Sequence, residues 1–374
     1  MRKCCRFVRA SKSVCHWLKS LIAALVGLVL SLVMIWGVSS FVSLLSDDFN
    51  DFDFSDLYMR VCERRSVASL SNDVVIVSVD GCSRKGIQQM IEAVDCFSPA
   101  AVGLDMFFLH PSEDGDALVR SITSCNNMVL PFSLDREACK SYFYDSIDAE
   151  YGVVNLLSYS AFDVVRDYVT SYQTDSIEYL SMPLALIRKA GLSDVEPDIN
   201  SKHIWFSSVD FDIITSDEII DEDGLPSLAC AERIEGKIVL IGDIGDLGDI
   251  HRTPIDDVMP GIMVQAHIID TIINDRHVKE VSMFGNLLLA FVVSLLFVRL
   301  HVHLKDTWND VGEMFMRFIQ FVLLYMFFVL GVNLYLKHNI FIDFSVTLTM
   351  LCISMLALSI VNGSIYIWQK IRRK

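Results

Sequence analysis

The sequence predicts an α/β domain with a mostly parallel sheet, plus four transmembrane α-helices, one before the domain and three after it. Three observations carry this. Four stretches contain no Asp, Glu, Lys or Arg over a length that crosses a bilayer. Charge is strongly partitioned: residues 1–45 hold six basic and no acidic side chains, 46–281 hold 17 basic and 43 acidic, and 282–374 hold eight basic and four acidic. Inside the acidic block, short continuous apolar runs alternate with segments of helical spacing, the pattern of a parallel sheet covered on both faces.

The elements follow in order. Residues 1–19 form a basic amino terminus, with Arg2, Lys3, Arg6, Arg9, Lys12 and Lys19. The first apolar span is 20–46. It is longer than a signal-peptide core and lacks a small-residue cleavage site, so it reads as an uncleaved anchor. The spans 281–298, 318–336 and 344–369 close the chain, separated by 299–317 and a short turn and followed by the basic tail 370–374. Arg299, Lys305 and Arg317 lie between the second and third spans, whereas the next turn carries only Lys337. The positive-inside rule then puts both termini in the cytoplasm and the block 47–280 outside it, in the inner (cytoplasmic) membrane of a cell.

Within that block, Asp47–Asp56 interleaves acids with Phe49, Phe52 and Phe54, the text of a solvated linker or a docking segment. Asn72–Asp80 and Ala100–Asp105 read as buried strands, each ending in a carboxylate, with a helix at Gly86–Phe97 between them. A helix at Ala117–Ser124 and a strand at Met128–Pro131 follow. Over 140–225 the pattern is less regular, with strand candidates at Gly152–Asn155, Ile204–Phe206 and Phe211–Ile214 and a helix at Pro183–Ala190. Gly236–Gly242 is another buried strand, and Pro260-Gly261 opens a helix to about Asn274.

Candidate site residues fall at strand ends. Asp80 and Asp105 sit where open parallel sheets bind ligands, and two acids there suit a cation; both would serve equally as caps of the following turn. After the Gly236–Gly242 strand come Asp243, Asp246 and Asp249 at three-residue spacing, then His251 and Thr253. Hard cations bind through several carboxylates, so a divalent cation is the one cofactor to consider, although the spacing is not that of an EF-hand. A solvated Gly/Asp turn explains the same residues. Asp217–Gly224 reads as an exposed acidic loop, and the acidity of the whole block excludes a nucleic-acid partner. No G-x-S-x-G, H-E-x-x-H, P-loop or dinucleotide fingerprint occurs, so no enzyme activity is expected. Cys62, Cys82, Cys96, Cys125, Cys139 and Cys230 lie in the block, where disulfides and buried thiols are both open.

These residues resemble the type-two CHASE sensor domains, extracytoplasmic modules associated with bacterial cyclases, histidine kinases and serine/threonine kinases. The likeness rests on Val79-Asp80, Pro99, Gly103-Leu-Asp105 and Phe107. It continues through Gly236–Gly242, Asp249, Thr253-Pro254 and Pro260-Gly261, and covers about residues 45–365. Two departures stand out: Gly81-Cys-Ser-Arg-Lys-Gly86 replaces a Trp/Pro/Arg-rich stretch, and Gln265 replaces a His. The resemblance implies a sensor; Asp80, Asp105, Asp249 and Thr253 are the candidate ligand residues. Relatives continue into a cytoplasmic enzyme, while this sequence ends at Lys374. The expected partners are therefore the lipid bilayer, a separate output or effector protein and a second copy of the chain. The alternative is a structural anchor or envelope assembly subunit that senses nothing.

Overall fold

The computed structural model describes residues 2–45, 54–65, 67–134, 140–157, 164–174, 177–221 and 223–372. It falls into two units, Met59–Val278 and a second formed by Met1–Tyr58 with Lys279–Lys374. The helices longer than one turn are α1 Arg2–Leu45, α2 Phe54–Arg65, α3 Arg84–Cys96, α4 Gly115–Ser124, α5 Met182–Ala190, α6 Gly261–Ile273, α7 Met283–His338 and α8 Ser345–Arg372. The main sheet contains β1 Ser69–Ser78, β2 Ala101–Asp105, β3 Met128–Phe132, β4 Glu150–Val153, β5 Val209–Ile214 and β6 Ile238–Gly242.

All six strands are parallel, in the order β4-β3-β2-β6-β1-β5. The last strand in sequence thus lies between the first two. Every residue of β6 is buried, which is why its run is apolar without alternation. One face packs Val75, Val77, Val102, Leu104, Val239 and Ile241 against Ile87, Met90 and Ile91 of α3 and Leu118 and Ile122 of α4. The other face is covered by α5, whose Met182 and Leu186 lie so close over β2 that a side chain at Gly103 would meet them. Gly152 of β4 is closer still, since a Cβ there would overlap the backbone of Met182.

Local chemistry sets the helix ends. Ser83 caps α3, its Oγ accepting from Gly86 N at 3.2 Å, so the helix starts two residues ahead of the Gly86 expected from spacing alone. Ser181 caps α5 in the same way, Pro183 sits in its first turn, and Gly191 closes it at φ 67°.

One strand expectation fails. Ile204–Phe206 is buried but forms no strand, because its backbone is taken elsewhere: Ile204 N donates to Arg166 O and Trp205 N to Thr271 Oγ1 of α6. The neighbouring Lys202–His203 pairs instead with Asp167–Tyr168. A hairpin of Ser171–Thr174 with Ile177–Leu180 and the helix α2 were not expected. The free cysteines include Cys62, Cys82, Cys96, Cys125 and Cys230, while Cys139 lies outside the described residues, as does most of the Asp47–Asp56 segment.

In the second unit, three helices among the described residues are long and apolar enough to cross a membrane: α1 over Val14–Trp36, α7 and α8. The 56-residue α7 is interrupted at Asn309, whose φ of 48° and ψ of −124° leave the helix. Beyond it Gly312 approaches the Leu304 carbonyl so closely that a Cβ would overlap it, and Lys305 Nζ reaches Glu313 Oε2 at 3.2 Å. Two helical arms therefore turn back on each other, Phe297 clustering with Met316. The stretches 281–298 and 318–336 fall in different arms. The connection 299–317 is helical on both sides of Asn309 rather than a loop.

Candidate functional site

Parallel register brings three acids together at one end of the sheet. Gly242 of β6 is level with Asp105 of β2 on one side and Ser78 of β1 on the other. Asp80 just beyond β1, Asp105 at the end of β2 and Asp243 just beyond β6 thus project from neighbouring strand ends. Because β6 is inserted between the strands that precede it in sequence, this is the place where open parallel sheets leave a crevice.

The loop after β6 is folded onto these acids. Gly245 N donates to Asp80 Oδ1 at 3.0 Å and to Asp243 Oδ1 at 2.8 Å. A Cβ at residue 245 would lie 3.0 Å from Asp80 Oδ1, so glycine permits the approach. The two carboxyls influence each other: the neighbouring Asp80 and partial desolvation hold Asp243 above the ordinary carboxylate range, while Asp243 and the Gly245 amide hold Asp80 below it. Asp246 Oδ1 accepts from Gly248 N at 2.8 Å, an Asx-type turn. Asp249 bonds His251 Nε2 through Oδ1 at 3.0 Å, and its carbonyl accepts from Gly261 N at 2.9 Å. A Cβ at Gly261 would collide with the Asp249 carboxylate, so the Pro-Gly opening of α6 makes room for that acid.

A cavity of about 670 Å³ opens at this end. Asp105, Asp243, Asp246, Asp249 and His251 line it from β2 and the loop after β6. Ser133 and Asn155 enter from beyond β3 and β4, and Gln265 from α6, while Met106, Phe107 and Leu156 supply apolar wall. Burial pushes the Asp105 carboxyl from 3.8 to about 7; the Asp249 charge adds to this and His251 opposes it. Among the described residues the lining contains no Lys or Arg, which disfavours anions and suits a cation or a neutral polar molecule. The volume is that of a small-molecule site.

Not every expected residue belongs here. Thr253 is buried in its own turn, its Oγ1 donating to Asp256 O at 2.9 Å and accepting from Asp256 N at 3.1 Å, and it does not line the cavity. Asp80 serves beside the cavity by holding the loop. Asp243, Asp246 and Asp249 do not converge on one point, and no group of three His, Cys, Asp or Glu side chains among the described residues is placed to hold a metal ion. Ser133 and Asn155 carried no sequence signal, since each simply follows a short strand. Gln265 was visible only as a departure; here its Nε2 donates to Val154 O at 2.9 Å, tying α6 to the end of β4.

Comparison with curated proteins and with solved structures returns no match. A family model does match: that of the CHASE2 domain, over residues 25–299, about three-quarters of the sequence. That span takes in part of the apolar stretch of α1, the whole sheet with its acidic cavity and α7 as far as Arg299, and the chain belongs to the CHASE2 family.

Proposed function

We propose that this chain is a membrane sensor subunit. Its α/β domain lies outside the cytoplasm, takes up a small cationic or neutral cue in the cavity at the strand ends, and relays occupancy through the helices to a separate partner protein. The observation that carries the reading is the roomy, acid-lined cavity at the carboxyl ends of adjacent parallel strands in a CHASE2 domain. A relay requires the cue to bind one of two states more tightly, and the loop 243–249, held by a few side-chain bonds, is the element whose order a ligand would change.

The membrane reading uses four crossings: α1, the two arms of α7, and α8. Asn309 supports separate arms, and the flanking charges support cytoplasmic termini. Trp17, Trp308 and Trp368, each about half exposed, stand just before the uncharged stretch of α1, where α7 turns and where α8 ends, as interfacial tryptophans do. No catalytic role, nucleic-acid partner or resident cofactor is part of this reading, and self-association through the helices is compatible with it.

Two experiments test it. Reporter fusions after Glu196 and after Lys374 are expected to report opposite sides of the membrane; the same side for both overturns the topology. Full-length protein purified in mild detergent should release a small molecule on denaturation, and Asp105→Asn with Gln265→Ala should reduce its yield. An unchanged yield from the double variant would remove the cavity from the sensing role.

A further inference from the structure

A second site lies in the helical unit. Arg299 is the first charge after the apolar stretch 281–298, so it stands at the depth where the hydrocarbon ends, as Lys19 does just before the stretch 20–46. Its guanidinium lies 5.2 Å from the ring centroid of Trp17, on α1. Its Nε and Nη1 are buried and have no hydrogen-bond partner among the described residues. Two of the acids at this end of the unit are engaged elsewhere: Asp306 faces His16 Nδ1 at 3.4 Å, and Glu313 faces Lys305 at 3.2 Å and Arg317 at 3.7 Å. Among the described residues, no ion pair neutralises Arg299.

An unpaired guanidinium with desolvated donors is costly, and stacking on an indole offsets only part of that cost. The planar fork of guanidinium donors matches phosphate oxygens, and basic sites between helices at the cytoplasmic face take anionic headgroups. Trp17, whose ring stands against this guanidinium, is itself about half exposed. We propose that Arg299 and Trp17, between α1 and the first arm of α7, bind the phosphodiester of an anionic glycerophospholipid, Trp17 swinging aside so that Nε and Nη1 reach the phosphate oxygens.

The inference rests on the helices crossing a bilayer, which is checked separately by retention of the chain in membranes after an alkaline wash. The test compares thermal unfolding of the full-length protein in phosphatidylcholine nanodiscs with and without phosphatidylglycerol, and in detergent with and without inorganic phosphate. Phosphatidylglycerol is expected to raise Tm and to be retained in native mass spectra. Arg299→Gln should lose both effects, Arg299→Lys should keep part, and Arg317→Gln, at a paired and exposed arginine, should keep both. A wild-type Tm indifferent to phosphatidylglycerol, or an Arg299→Gln protein that responds as wild type does, overturns the proposal. Equal stabilisation by inorganic phosphate makes this a site for soluble anions and also overturns it. Should Arg299→Gln fail to accumulate, Trp17→Ala, which removes the ring but leaves the charge, is expected to alter lipid retention; unchanged retention counts against the site.

Discussion

Replacing Asp105 by Asn should stabilise the domain, and the gain should depend on pH in a defined way. In the folded chain the carboxyl titrates near 7 instead of 3.8, chiefly because it is buried, with Asp249 adding repulsion. The folded state therefore holds this proton more tightly than the unfolded state does. Stability from this group is fully present below about pH 4 and is lost as pH rises through about 7. A displacement of that size corresponds to at most ~4 kcal/mol. Asp105 keeps some access to the water of the cavity, so ~2–3 kcal/mol is the working figure. Asn has the same shape and no charge, so the variant should match wild type near pH 4 and exceed it by that amount above pH 7. The wild-type profile alone is not diagnostic, because buried His267 tilts it the other way. The readout is the difference in urea unfolding free energy between variant and wild type for the isolated span 59–278, at several pH values. A difference independent of pH, or a less stable variant above pH 7, would refute the reasoning.

His267 is buried beside Phe206 and Phe211, and burial depresses it from 6.5 to about 3, so it costs stability as pH falls below 6.5. His267→Phe should flatten that acid limb in the same unfolding assay, even if overall stability drops. Gly152→Ala forces a methyl group onto the Met182 backbone and should cost ~1–3 kcal/mol, read as a lower urea midpoint with an unchanged slope. Millimolar calcium or magnesium should leave the melting temperature of 59–278 unchanged, because Asp243, Asp246 and Asp249 each serve a different local contact. A rise abolished by Asp246→Asn with Asp249→Asn would restore the cation expected from their spacing.

The local rules were legible in the residues themselves. Strands buried on both faces must be continuously apolar, so β1, β2 and β6 announce themselves, each with its acid at or just beyond the carboxyl end. Hydrocarbon tolerates no unpaired charge, so the apolar stretches stand out equally clearly. Apolar text reports burial and not the partner, however, which is why Ile204–Phe206 reads as a strand although its amides are bonded to Arg166 and Thr271.

Strand order is likewise a long-range matter. Nothing near Gly236–Gly242 says that this segment slides between β1 and β2, yet that insertion sets Asp243 between Asp80 and Asp105 and lets the Gly245 amide reach both Asp80 and Asp243. Ser133, Asn155 and Gln265 join them only because β3 and β4 end, and α6 begins, at the same level. Thr253 lies close to Asp249 in sequence but is spent on its own turn. The sequence by itself determined which segments are buried and where the acids stand along the chain. The tertiary structure decided which acids share a cavity, because packing energy between distant segments, not local periodicity, selects the neighbour of each strand.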